Sequence, residues 1–132
     1  MQRKFRLTRS EDFKRVRRYG KSYAHPLAVL IVQTHNQRST SVPHVSGGSP
    51  ADQLRLKVGV AAGRTVGTSV YRNRAKRLLR EAIRPLLSNI TPGLDLILIA
   101  RPGLVSANLE ETRQALLTLL QRAQILIPLN ES

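Results

Sequence analysis

The sequence predicts an α/β two-layer sandwich, with helices packed on a small, mostly antiparallel mixed sheet. Three observations carry this. Ala75, Leu78, Leu79, Ala82, Ile83 and Leu86 recur at the spacing of one helical face. Leu27–Val32 and Leu94–Ala100 are apolar, β-branched runs of strand length. The chain has 132 residues, 41% of them hydrophobic, which suits one domain with one core.

Thr8-Arg9-Ser10-Glu11 reads as a helix start. Thr8 or Ser10 can cap, and Glu11 stands three residues after Thr8. Phe13 and Val16 share a face, and Gly20 is a natural left-handed C′ residue. After the Leu27–Val32 strand, residues 35–53 are polar and rich in Ser, Gly and Pro, the pattern of a long surface loop. Leu54 to Ala62 alternates, with Leu54, Leu56, Val58 and Val60 set against Arg55, Lys57 and Gly59. That period of two predicts a strand with one buried face.

Gly63–Ser69 is a turn in which Thr68 or Ser69 can cap the helix that follows. Pro85 ends or kinks that helix. Thr91-Pro92-Gly93 is a second turn, and the Leu94–Ala100 strand reads as buried on both faces. Pro102-Gly103 stops it. Asn108 with Glu111 resembles a capping arrangement for a last helix, whose apolar stripe is Leu109, Leu116, Leu117, Leu120 and Ala123. The order is helix, strand, strand, helix, strand, helix, with room for one more short strand. Residues 125–132 read as a flexible tail of the same single domain, 1–132.

Charge narrows the function. The formal net charge is +14, and residues 1–84 hold 19 of the 22 basic side chains but four of the eight acidic ones. Such a one-sided field favours a polyanionic partner, with nucleic acid ahead of an anionic membrane surface. Cysteine is absent, which excludes a disulfide framework, a thiolate nucleophile and a Cys-type zinc site. No apolar run approaches the ~18 residues of a membrane span. The N-terminal stretch lacks the apolar core of a secretory signal, so the expected location is the cytoplasm. His25, His35 and His44 have no metal-ligand spacing, and no acid pair or phosphate-binding loop stands out. The chain alone therefore offers no catalytic residues and no metal site.

The informative segment runs from Tyr71 to Arg84. Ala75, Leu78, Leu79, Ala82 and Leu86 share one side; Asn73, Lys76, Arg77, Arg80 and Arg84 share the other, with Arg72 and Arg74 flanking. Like charges at i, i+3 and i+4 destabilise a lone helix by a few tenths of a kcal/mol per pair. A polyphosphate reverses that sign, and the planar fork of arginine bridges two phosphate oxygens. A solvated face normally mixes signs; this one has a single acid, Glu81.

Lys57-Val58-Gly59-Val60, then Arg64, Val66-Gly67, Val70 and Arg72-Asn73-Arg74-x-Lys76-Arg77-x-x-Arg80, closely resemble the signature of the bacterial ribonuclease P protein component. Glu11-Asp12-Phe13, Ile97–Arg101 and Glu110-Glu111-Thr112 resemble flanking parts of the family, so the likeness spans about residues 5–122. The resemblance implies a fold like that of ribosomal protein S5, with a left-handed β-α-β crossover. It also implies a small, monomeric subunit on a large catalytic RNA. That holoenzyme is an endoribonuclease that removes the 5′ leader of precursor tRNA, using Mg²⁺ held by the RNA.

Carried over residue by residue, Arg64, Arg72, Asn73, Arg74, Lys76, Arg77, Arg80 and Arg84 are expected to bind the RNA subunit. Phe13, Arg17, Ile31 and Lys57 are expected to bind the leader. Arg17 stands where the family often has an aromatic, Ala28 and Ile31 where Phe and Tyr are common, and Thr65 where Lys is common. The residues by themselves leave two further readings open: a structural RNA-binding protein of ribosomal type, and a stand-alone nuclease, the latter disfavoured by the missing acid, base or metal cluster.

Overall fold

The computed structural model describes residues 10–34 and 56–127. In chain order the elements are α1 (Ser10–Tyr19), β1 (Lys21–Ala24), β2 (Ala28–Thr34), β3 (Lys57–Ala62), α2 (Ser69–Ile83), β4 (Leu94–Ala100) and α3 (Leu109–Ala123). Single 3-10 turns cover Arg64–Val66, Arg84–Asn89 and Pro102–Ser106. The expected loop at 35–53, the Thr8 cap and Leu54 lie outside the described residues.

The strands form one mixed sheet in the order β1-β2-β4-β3. β1 pairs antiparallel with β2, and β2 antiparallel with β4. The single parallel pair, β3 with β4, is joined through α2. β4 therefore sits in the middle, which is why LDLILIA is apolar on both faces. β1 (KSYA) is the additional short strand, an edge strand that is mostly exposed.

One face of the sheet carries α2 and α3. Leu30, Val32, Val58, Leu96 and Leu98 point to it and meet Ala75, Leu79, Ala82 and Ile83 of α2 and Leu116, Leu119 and Leu120 of α3. This is the main core; Leu56 and Val58 are buried in it and Val60 partly, but the other side of β3 is not solvated throughout, since Gly59 is buried under the Phe13 ring. Pro85 does end α2, and the chain continues as a 3-10 turn that buries Leu86. The capping box of α3 is complete: Glu111 N–H donates to Asn108 Oδ1 at 2.8 Å and Asn108 N–H to Glu111 Oε1 at 3.0 Å. Leu109, expected in the apolar stripe, is instead 37% exposed; Thr112 and Ala115 take its place in the buried face.

The opposite face carries α1 alone, over a small second cluster of Val16, Ile31 and Ile97. Gly20 follows α1, but not in the expected left-handed conformation, since the positive-φ glycines among the described residues are Gly67 and Gly93. Its need is space: a Cβ would stand 2.8 Å from the Ile31 side chain and 2.9 Å from the Val32 carbonyl oxygen. Residues 125–127, assigned by sequence to the flexible tail, are pinned. Ile125 is buried, Leu126 bridges Ile90, and Ile127 N–H donates to the Asn89 carbonyl at 2.7 Å.

Candidate RNA interface

The first surface is the outer side of α2. Burial of Ala75, Leu79, Ala82 and Ile83 fixes the rotation of the helix, so the basic side chains are forced outward. Asn73, Arg74, Arg77 and Arg84 are exposed, Lys76 and Arg80 are partly buried, and Arg64 is exposed on the preceding 3-10 turn. Glu81, the only acid of α2, pairs with Arg84 at 3.3 Å. The cations nearer the helix N-terminus have no acid of α2 beside them, and the first turn holds none. Positive charge near the positive end of a helix dipole is unfavourable until an anion arrives.

Arg72 differs from its neighbours. Its Nε donates to the Gly67 carbonyl at 3.0 Å, tying the helix to the turn that precedes it. Gly67 has φ +132°, a conformation glycine adopts without strain, and the Tyr71 ring lies against it. Thr68 occupies the N-cap position without a side-chain hydrogen bond. Val70 and Tyr71 are strongly exposed beside the basic stripe.

The second surface is the α1 face of the sheet, where the strand register sorts the side chains into three rows. Lys57, Asp95 and Gln33 form the first, Gly59, Ile97 and Ile31 the second, and Ala61, Ile99 and Val29 the third. α1 lies over the second row. Val16 is fully buried against Ile31 and Ile97, and the Phe13 ring rests on Gly59. At ~100° per residue, Phe13 and Arg17 share one flank of α1 and Arg15 projects from the other. Arg15 reaches Asp95 and Gln33 in the first row. Phe13 and Arg17 therefore border the third row, which is open: Val29, Ile99 and Ala61 are only partly buried, and Ala24 beside them is exposed. Beyond that row, exposed Arg64 and Arg101 leave the carboxyl ends of the two parallel strands.

The structure thus divides the four residues assigned to leader binding. Phe13 and Arg17 line the open cleft. Ile31 is 5% exposed beneath α1 and has no free surface for a ligand. Lys57 stands in the first row, behind α1. Val29, Ile99 and Ala61, which sequence reasoning did not single out, form the floor of this cleft, and Arg101 follows β4 at its end; the signal that finds the first three is the pairing of β2, β3 and β4 once their register is known.

Elsewhere the chemistry is sparse. Among the described residues no three His, Asp or Glu side chains converge to hold a metal. His25 Nδ1 is occupied, accepting from Leu27 N–H at 3.1 Å. No helix of the described residues is long and apolar enough to cross a membrane.

Comparison with known proteins agrees with this architecture. A family described as Ribonuclease P matches residues 1–124. The ribonuclease P protein component of Herpetosiphon aurantiacus is 40% identical over 125 residues, covering 95% of this chain and 89% of the relative. That of Brevibacillus brevis is 34% identical over 126 residues, covering 96% and 88%. Among solved structures, the RNase P protein of Staphylococcus aureus superposes with a TM-score of 0.71 at 22% identity, covering 92% of this chain and 97% of the other, a likeness of fold. The RNase P protein from Thermotoga maritima gives a TM-score of 0.67 at 26% identity, covering 89% and 96%.

Proposed function

The chain belongs to the ribonuclease P protein family, and we propose that it works through two surfaces: the α2 stripe docks on the catalytic RNA, and the cleft beside α1 holds the 5′ leader of precursor tRNA. As a protein component of ribonuclease P it is part of an endoribonuclease whose role is tRNA 5′ processing. The observation that carries the proposal is the outward cationic face of α2, on which the helix itself places one acid, Glu81, already paired with Arg84.

The stripe supplies what RNA docking needs. Guanidinium forks bridge phosphate oxygens, and release of counterions from the RNA drives association. The cleft supplies what a single strand needs: one aromatic face in Phe13, an apolar floor in Val29 and Ile99, and cations at Arg17, Arg64 and Arg101. With one aromatic instead of several, leader binding rests on charge and apolar contact more than on stacking. The magnesium ions that hydrolysis requires are assigned to the RNA subunit. The protein's part is to neutralise phosphates around the substrate and raise its affinity, acting as a monomer in the cytoplasm. The ribosomal-type reading rests on composition alone and has no residue pattern in its favour.

The test is cleavage of precursor tRNA with and without ribonuclease P RNA at moderate salt and low Mg²⁺. Cleavage only when RNA and protein are both present supports the reading. Cleavage by the protein alone, or no stimulation of the RNA by the protein, refutes it.

A further inference from the structure

We propose that Arg15 is a positioning residue that, clamped to buried Asp95 and Gln33, sets the rotation of α1 and thereby shapes the leader cleft. The inference rests on the reading of that cleft as the leader site.

Asp95 is 1% exposed, in the central strand. A carboxylate there is costly unless it is paired and hydrogen-bonded. Arg15 provides the pairing across 80 residues of sequence: Nη1 and Nη2 donate to Asp95 Oδ2 at 3.0 and 2.9 Å. Nη1 also donates to Gln33 Oε1 at 2.7 Å, and Nη2 to Asp12 Oδ1 at 3.0 Å. One guanidinium thus ties α1 to β2 and β4 and braces itself on its own helix.

Stability does not explain this arrangement. Buried ion pairs are often replaceable by apolar residues without loss of stability. Gln33 moreover buries an Nε2 amide with no hydrogen-bond partner, a penalty accepted so that its Oε1 can meet Arg15.

Directionality explains it. Val16 is the one buried residue of α1. Apolar contact is non-directional, so Val16 and the Phe13 ring on Gly59 hold α1 against the sheet but fix its roll less sharply than directed hydrogen bonds do. With side chains out to a radius of ~5–6 Å, a roll of ~10° displaces a tip by about 1 Å. Arg15 stands on the flank opposite Phe13 and Arg17, so its anchoring fixes how far those two overhang Val29 and Ile99.

The experiment uses reconstituted holoenzyme with three proteins: wild type, Asp95→Asn, and the double variant Arg15→Met with Asp95→Leu, which removes both charges of the Arg15–Asp95 pair together. Affinity is measured for precursor tRNA with a leader of about eight nucleotides and for the same tRNA without one. Their ratio is the leader contribution. Protein–RNA affinity and thermal midpoint are read alongside. The expected result is a leader contribution reduced about fivefold or more in both variants, with RNA affinity within about twofold of wild type and the double variant retaining its thermal midpoint within a few degrees. A folded variant of either kind with the wild-type ratio overturns the proposal, as does an equal loss for both substrates. If the double variant does not fold, Asp95→Asn decides alone, because its Arg15 retains partial access to water. A wild-type holoenzyme that gains nothing from the leader refutes the cleft reading itself, and is distinguishable because no variant is involved.

Discussion

Gly59→Ala tests the packing of α1 most directly. A Cβ built at Gly59 meets Phe13 Cζ in hard contact and stands 3.0 and 3.1 Å from Cε1 and Cε2. Carbon atoms prefer ~3.5–4.0 Å, so the ring must lift by about 1 Å or swing out. A gap of that size forfeits roughly a quarter to a half of the dispersion attraction between the separated atoms. Overpacking of this kind costs about 1–3 kcal/mol. Against it stands a gain of ~0.5–1 kcal/mol from replacing glycine in a strand. The net is a loss of about 1–2 kcal/mol, or ~3–8 °C in the thermal midpoint for a chain of this size. The decisive assay is a double-mutant cycle by denaturant unfolding. In a Phe13→Ala background the clash is gone, so Gly59→Ala becomes neutral or stabilising, and the coupling energy is about 1–3 kcal/mol. Additive effects, or a Gly59→Ala protein as stable as wild type with Phe13 present, would refute the placement of the ring.

Other substitutions probe other levels. Asn108→Ala removes the side-chain half of the α3 capping box and lowers stability by about 1 kcal/mol, measured by thermal unfolding. Arg74→Ala leaves the thermal midpoint unchanged while Arg72→Ala lowers it slightly, because Arg72 alone of the two holds the Gly67 carbonyl. Both weaken RNA binding, and each phosphate deprived of its cation reduces the log–log salt slope by about 1 in a filter-binding or fluorescence titration. Adjacent residues of β2 separate by face: Leu30→Ala costs about 2–5 kcal/mol from the main core. Val29→Ala is milder, at less than about 1.5 kcal/mol for a half-buried side chain. It instead lowers the affinity contributed by the leader, read from binding of leader-bearing and leaderless substrate.

Much of the fold was legible because its signals are local. The β4 boundaries follow from a nearly continuous apolar run between two Pro-Gly turns. The α3 start follows from Asn108 and Glu111, three residues apart, and the outward basic face of α2 follows from its helical period. What was hidden depends on register or on distance in sequence. β1 is polar and edge-exposed, so KSYA carries no burial pattern. Ile31 and Val29 share the face under α1, two residues apart, and only the placement of α1 over the row of Ile31 and Ile97 shows that Ile31 is covered and Val29 lies in the open row. The meeting of Arg15 and Asp95, 80 residues apart, has no local signature. Gly59 read as one position of a solvated face, whereas it is the seat of the Phe13 ring.

The cleft itself follows from dimensions. Same-face residues of a strand are ~6.6 Å apart, so the seven residues of β4 present three positions to α1: Asp95, Ile97 and Ile99. A single helix is ~10 Å wide with its side chains and shields about two such rows. One row must remain open, and the apolar seam under Val16 does not choose which. The choice is electrostatic. Arg15, bonded to Asp95 and Gln33, holds α1 over the polar end of the sheet. The buried ion pair thus turns an unavoidable gap into an apolar-floored groove between Phe13 and the carboxyl ends of β3 and β4, where Arg64 and Arg101 begin the loops.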